Sequence, residues 1–402
     1  MLLNCAKALV FICGMFCGWM GPLVIDICQV QHVTMSDVGA MVAASSVGNM
    51  MTNMSGKKFI DILGSKWTLF CSAICIMLGA ITVSTGNGLA ILWIGSFLFG
   101  MGGGLNSIAS TVVTLETEKK NPHAALNALN LFFGLGALAG PSVAGLSHAS
   151  AWSYRLAYTF AAIYSAVLAI IITQTKKPET VDISEAPPPP SSAIFKSPEI
   201  WTYALIIMFY VGVENGSWTW LNVYLQKAVK LSYEQGLYSV TLLWVGLCIG
   251  RALGHRLNLK FAPHKITFVA ITLVLCSLLA LLTIPNLGMG SMALCCLLGL
   301  AFGPIFPNTL GSANSRFSSS AALVSSVVIS AGAVGGAFFP YLTGSFIDKF
   351  GLHAGIGLLS GCSAMMLVSF IISRKLAANA DASAKALLLQ KPGEEFEPVQ
   401  RA

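Results

Sequence analysis

The chain has 402 residues, of which 55% are hydrophobic and only 10% charged, against about 25% charged in water-soluble domains. A hydrated surface cannot be assembled from that supply, so the composition excludes a soluble globular protein and points to one embedded in a membrane. The net charge of +7 implies lipid headgroups rather than nucleic acid as the partner of its cations.

Taken in order, apolar stretches long enough to cross about 30 Å of hydrocarbon are predicted near 6–29, 36–56, 68–86, 89–114, 123–147, 155–174, 199–225, 234–255, 265–283, 290–313, 320–344 and 353–373. The first begins beside Met1, with one lysine and no small-residue cleavage site, and reads as a retained span rather than a cleaved signal. Between the sixth and seventh lies the one long polar interruption, 176–197, with four consecutive prolines at 187–190 that impose an extended course. The expected organisation is an all-α integral membrane protein of twelve transmembrane helices. A six-helix bundle over 1–175 is joined by a cytoplasmic linker, 176–197, to a second over 198–375, and a flexible tail follows over 376–402. Short loops elsewhere leave no room for an extramembrane catalytic domain.

Lysine and arginine fix the expected orientation. With the N-terminus cytoplasmic, nineteen of the 23 lie on the cytoplasmic side, and four (Arg155, Lys227, Lys230 and Lys349) lie opposite. The positive-inside rule then places both termini in the cytoplasm of a cell membrane, plasma or bacterial inner. All eleven cysteines lie in or beside apolar stretches, where they serve as small packing residues without the company a metal needs.

The halves repeat one another. At an offset of 198 residues Gly14 pairs with Gly212, Gly18 with Gly216, Gly48 with Gly246 and Gly56 with Gly254. At 199, Gly100 pairs with Gly299, Gly104 with Gly303, Gly136 with Gly335, Pro141 with Pro340 and Gly145 with Gly344. Two parallel bundles with small residues at their helix contacts account for this pattern. The candidate chemistry does not repeat: Glu214 pairs with Phe16, Trp218 with Met20, Trp220 with Pro22 and Asn106 with Ile305.

Several stretches carry a resemblance. The loop between the second and third spans, Gly56-Lys57-Lys58-Phe59-Ile60-Asp61-Ile62-Leu63-Gly64-Ser65-Lys66, is similar to the cytoplasmic signature G-x-x-x-D-R-x-G-x-R/K of the major facilitator superfamily. It has one extra residue before Asp61, and Ile62 stands in the usual arginine place. Gly136 to Gly145 resembles that superfamily's G-x-x-x-G-P-x-x-x-G motif. Gly21-Pro22 with Asp26, Ala128 to Ala137, Gly212-Val213-Glu214 with Trp220 and Tyr224-Leu225, Gly250-Arg251 with Gly254, and Pro304 to Pro307 resemble its fucose-permease and sodium-dependent glucose-transporter branch. The resemblance implies alternating access by two rocking bundles, a sugar-like substrate held between them, and gating roles for Asp61 and Arg251. Fucose-type permeases carry membrane carboxylates at positions matching Gly21 and Asn106 here, so coupling through that pair is not expected.

Glu214 stands roughly 20 Å into the seventh span, near the bilayer midplane, where an ionised side chain is costly without a cavity or partner. It is expected to meet substrate or carry a coupling proton, against a purely structural ion-pair role. Ser217 and Trp218 follow it at i+3 and i+4 and would share its face. Trp218 and Trp220 diverge by about 200°, so at most one faces the cavity; geometry favours Trp218 and the resemblance favours Trp220. An amide in lipid needs a partner, and Asn106, Asn127, Asn130 and Asn308 therefore either bind substrate or tie helices together. Asp26, near the outer end of the first span, is a solvated charge or a coupling group. The histidines fall at loops or span ends, so no histidine relay is expected, and Glu116 is expected on a solvated loop.

A secondary transporter of a small polar solute, a sugar first among the candidates, is the expected function, without cofactor, coupled to H+ or Na+ or to neither. It is expected to act as a monomer on a small-molecule substrate in the lipid bilayer. No Walker motif is present, so ATP is not its energy source, and no nucleophile, base and orienting group converge as an enzyme would need. Efflux of amphipathic compounds or lipids, or solute sensing on a transporter scaffold, are the alternatives.

Overall fold

The computed structural model describes residues 1–118, 122–176, 192–284 and 287–389. Eleven α-helices make up nearly all of them: α1 (Leu2–Gln31), α2 (Met35–Thr85), α3 (Leu89–Thr117), α4 (Pro122–Ala149), α5 (Tyr154–Gln174), α6 (Pro198–Lys227), α7 (Tyr233–Asn258), α8 (Pro263–Thr283), α9 (Gly290–Arg316), α10 (Ala321–Phe350) and α11 (Leu352–Leu389). In lipid every backbone N–H and C=O must be satisfied within the segment, and helices do this.

At 51 residues, α2 would run about 77 Å if straight, more than twice the hydrocarbon thickness. It breaks at Gly64, whose φ of 78° and ψ of 166° are open only to glycine. Its two arms, 35–63 and 65–85, fold back along α3. A Cβ on Gly48 would strike the Phe97 carbonyl, and one on Gly79 would strike the backbone of Gly95 and Phe99, in the same turn of α3. Counted by arms, the chain crosses twelve times, as expected. Ten of the eleven continuous helices are long and apolar enough to span a bilayer. The other, α6, has 30 residues but is diluted by Glu199, Glu214, Asn215 and Asn222.

Two halves, α1–α5 and α6–α11, each pack internally and meet along α1–α6, α2–α10 and α4–α7. Some repeated glycines do the same work in both, whereas Gly14 meets the Phe133 carbonyl and its counterpart Gly212 the Phe339 side chain. Gly100 packs on the Ser45 carbonyl and Gly299 on that of Leu243; Gly48 faces the Phe97 carbonyl and Gly246 that of Cys296. These contacts let helix backbones touch, and lipid does not compete for them.

The tail departs from expectation. Instead of becoming flexible at 376, α11 continues to Leu389, because 376–389 (LAANADASAKALLL) is rich in the strongest helix formers despite its polarity. Residues 390–402 and linker residues 177–191 lie outside the described residues; within the linker, Ser192–Lys196 forms a 3-10 turn.

Candidate functional site

A cavity of about 400 Å³ lies between the halves, walled by α1, the first arm of α2, α3, α4, α6 and α10. Its floor on α3 is a polar ladder, with Asn106 and Ser110 one turn apart and Ser107 and Thr111 beside them; α2 adds Ser45, Ser46 and Asn49, and α4 adds Asn130. Aromatic faces complete it. Phe16 and Phe99 stack with centroids 4.6 Å apart, and Trp218 closes the opposite side. None of the described residues lining the cavity carries a formal charge.

Hydrogen bonds hold this lining in place. Trp218 Nε1 donates to Asn215 Oδ1 at 3.1 Å, and Asn215 Nδ2 donates to the Gly336 carbonyl at 3.4 Å. That same carbonyl accepts from Ser46 Oγ at 3.2 Å, which ties the halves together at cavity level. Asn106 is 2% exposed; among the described residues its Nδ2 reaches Cys13 Sγ alone, at 3.6 Å, and its Oδ1 is buried with no hydrogen-bond partner, a costly condition that native proteins seldom leave without a use.

The structure thus brings Asn106, Asn130 and Trp218 together and sends other candidates elsewhere. The cavity face of α6 is Val211, Asn215 and Trp218, rotated about 70° from the expected Glu214–Ser217–Trp218 face. Ser217 is fully buried in helix packing with its Oγ unpaired. Trp220, also fully buried, donates Nε1 to the Pro340 carbonyl at 3.0 Å, a helix-to-helix tie. Asn308 accepts from Asn258 Nδ2 at 2.7 Å and joins α9 to α7 away from the cavity. Asn127 lies in α4, with its side chain outside the described residues.

Glu214 does not line the cavity. The Tyr210 hydroxyl stands 2.9 Å from its Oε1 and 3.2 Å from the Phe302 carbonyl. Arg251 of α7 acts electrostatically on both Tyr210 and Glu214. On the other side, Glu214 is within electrostatic reach of Cys17, which does line the cavity. The group therefore sits inside the second half, one helix position behind Asn215.

Beyond the cavity, the ends differ. At the end bearing the 31–35, 149–154 and 228–233 loops, buried Asp26 accepts from His148 Nδ1, at 2.9 and 3.0 Å from its two oxygens. The His148 ring stacks on Tyr233 of the other half, with centroids 3.8 Å apart and planes at 18°. Tyr233 Oη donates to the Ala144 carbonyl at 3.3 Å. Asp348 of α10 caps the N-terminus of α2, accepting from Met35 N at 3.1 Å and Ser36 N at 2.6 Å, where the helix dipole favours an anion. These contacts correct the reading of Asp26 as a solvated charge, because it is buried against His148. Asp26 and His148 are 122 positions apart, so neither local spacing nor periodicity could have paired them.

Among the described residues, every hydrogen bond between the halves lies at that end or at cavity level. At the other end, which bears Leu2 and the 257–263 turn, no hydrogen bond joins the halves among the described residues. Asp61 is exposed there with no ion pair among the described residues, and Arg251 is exposed. Glu116, expected on a solvated loop, is buried and accepts from Ser65 Oγ at 2.5 Å, while Lys66 Nζ donates to the carbonyls of Thr173 and Thr175. Sequence reasoning also missed Asn49 and Ser46, although Ser45, Asn49 and Asn53 recur at helical spacing on α2.

The Major Facilitator Superfamily profile matches residues 8–340. A Helicobacter pylori protein assigned provisionally as a glucose/galactose transporter is 28% identical over 306 residues, 68% of this chain and 72% of its own. Bypass of stop codon protein 6 of Saccharomyces cerevisiae is 21% identical over 85% of this chain and 76% of its own. Among solved structures, a point mutant of the nucleoside transporter NupG superposes with a TM-score of 0.78 at 12% identity, covering 93% of this chain and all of that one. FucP in the outward conformation gives 0.60 at 18% identity, covering 92% and 98%. With its twelve crossings in two halves about a central cavity, the chain belongs to the Major Facilitator Superfamily and is a multi-pass membrane transporter of a small solute, not an enzyme.

Proposed function

We propose that the solute is an uncharged polyhydroxylated molecule of the sugar or polyol class, bound between Asn106, Asn130, Asn215 and Trp218 and moved by alternating access. The observation that carries this reading is the uncharged lining that holds one buried, unpaired acceptor, Asn106 Oδ1. A charged solute would enter without a counter-ion, at a cost such a site cannot offset. A hydroxyl, by contrast, gives Asn106 the donor it lacks, and a pyranose ring has apolar C–H faces for the Trp218 indole. The glucose/galactose assignment of the Helicobacter relatives agrees with this class.

The lysine and arginine asymmetry orients both termini toward the cytoplasm of a cell membrane, so the state described here is open inward and closed outward by the Asp26–His148–Tyr233 and Asp348–α2 contacts. Coupling, if driven by protons, uses Glu214, which accepts from Tyr210 of its own helix within electrostatic reach of Arg251, or Asp26, which accepts from His148 of α4. Glu214 suits this role because it lies within electrostatic reach of Arg251 and one residue from Asn215, which lines the cavity. A sodium-driven or uncoupled mode is separated from it by experiment. The chain works as a monomer in this account.

Uptake of labelled hexoses into proteoliposomes, with proton and sodium gradients imposed separately, tests the reading. Saturable hexose uptake that unlabelled hexose suppresses is expected, with uridine as a comparison because the Phe16–Phe99 stack also suits a planar base. Absence of hexose uptake together with uridine uptake would move the substrate class to nucleosides. Glu214→Gln is expected to abolish gradient-driven accumulation while sparing exchange; unchanged accumulation removes Glu214 from coupling.

A further inference from the structure

Away from the cavity, α7 and α8 diverge from their shared turn and both rest on α9, which leaves an outward-facing groove of about 300 Å³. Its floor is Leu300, Ala301 and Pro304 of α9, where Gly254 of α7 packs directly on Pro304. Its walls are Leu253 and Leu257 on one side and Val269 and Leu273 on the other. From Lys265 to Leu273 the groove follows eight residues of helix, about 12 Å. Apart from Lys265 its lining is apolar, and Leu253 and Val269 are exposed, so this surface meets lipid and not the solute path.

The open end of the groove is cationic and has nothing of its own to neutralise it. Lys265 lines it, and Arg256 and Lys260, both exposed, flank Leu257 within about a turn of helix. Between Glu234 and Asp348 the sequence holds no acidic residue. Among the described residues none of the three cations has a carboxylate within ion-pair distance. Arg251 belongs to the Glu214 cluster on another face of α7, and Arg316 is engaged by Glu199 at 2.7 Å. An apolar channel of this length that ends in three uncompensated cations at the bilayer edge matches one chemistry, an acyl chain carrying an anionic headgroup.

We propose that the α7–α8 groove is a binding site for an anionic phospholipid, its acyl chain lying against Leu253, Leu257, Val269 and Leu273 and its headgroup phosphate held by Lys265 with Lys260 and Arg256. Because α7 also carries Arg251 and Tyr233, a lipid seated there bears on the helix that links the Glu214 cluster behind the cavity to the outer closure.

Native mass spectrometry of the purified full-length protein, titrated with phosphatidylglycerol or with phosphatidylcholine of the same chains, reads the site directly. Phosphatidylglycerol is expected to bind about tenfold more tightly, a difference of about 1.4 kcal/mol. The triple variant Arg256→Ala, Lys260→Ala, Lys265→Ala removes that preference and leaves phosphatidylcholine binding unchanged, whereas Lys265→Arg keeps it. Val269→Trp fills the groove and weakens both lipids. Each variant is compared at its melting midpoint in phosphatidylcholine, and one that does not match the parent is replaced by its single-substitution counterpart. Equal affinity for the two lipids, a preference that survives the triple variant, or displacement of phosphatidylglycerol by millimolar inorganic phosphate would overturn the proposal, the last by making the site one for free anions.

Discussion

Ser45 and Leu243 stand at equivalent places in the two halves, and Gly100 and Gly299 pack against their carbonyl oxygens in the same way. One side chain lines the cavity and the other is apolar core. The same divergence holds for Asn106 and Ile305, of which only Asn106 reaches the cavity. A contact made through a backbone carbonyl constrains only the glycine that meets it, so the neighbouring side chains are free to differ. The first half has used that freedom for hydrogen-bonding groups, and the second for Trp218, Asn215 and the Tyr210–Glu214–Arg251 cluster behind them. The scaffold is therefore symmetric and the chemistry is not.

The largest expected effects fall on the shared scaffold and should be equal in the two halves. Gly100→Val and Gly299→Val each force a side chain into a backbone carbonyl. Each should cost more than about 3 kcal/mol, seen as loss of a monodisperse peak in fluorescence-detected chromatography. A protein that tolerates one and not the other would break the symmetry of the comparison.

Asymmetry should appear one step down. Asn106→Ala is expected to weaken solute binding by roughly 10- to 100-fold, as loss of a hydrogen bond worth about 1–3 kcal/mol implies. Ile305→Ala at the repeat-related position should leave binding within about twofold and lower stability by about 2–4 kcal/mol instead. Paired binding and melting curves separate these outcomes, and a binding defect in Ile305→Ala would place substrate in both halves.

A smaller effect tests the closed end. Asp348→Ala removes the charge-assisted bonds to Met35 N and Ser36 N, and hydrogen exchange at those amides should accelerate about tenfold. His148→Ala should do the same indirectly, by about fivefold, through loss of the Tyr233 stack. Unchanged exchange in both would mean that these contacts do not hold the end shut. The smallest effect is expected for Trp220→Phe, which loses one hydrogen bond, about 1 kcal/mol of stability, and no solute affinity.

The fold was legible in the sequence because the bilayer removes alternatives: runs of apolar residues become helices, and their number and the glycine repeat give two bundles. Even the reversal at Gly64 lay in a recognisable loop, although nothing local distinguished a sharp break from a longer loop. The site was legible only in part. Polar residues one turn apart on a span, such as Asn106 and Ser110, reveal a face, and Trp218 lies on the face that spacing favoured. The rotation of α6 was hidden because polar and aromatic groups surround it on every side, so packing against α9 and α10 decides that Asn215 faces the cavity while Glu214, Ser217 and Trp220 do not. Asn308 illustrates the same limit: its amide could bind substrate or tie helices, and only the packing of α9 on α7 shows that Asn258 satisfies its oxygen. The Asp26–His148 pair exists only once α1 and α4 are side by side.

The central claim is that an uncharged cavity selects an uncharged solute through Asn106. Its most direct test is calorimetric titration of the purified full-length protein with a neutral hexose, its uronate, its amino sugar and its phosphate, in the parent chain and in Asn106→Ala. The account predicts binding of the neutral hexose, affinities at least about 30-fold weaker for all three charged analogues, and loss of at least about tenfold in hexose affinity in Asn106→Ala. A charged analogue that binds as tightly as the neutral hexose, or an Asn106→Ala variant with parental affinity, would contradict it.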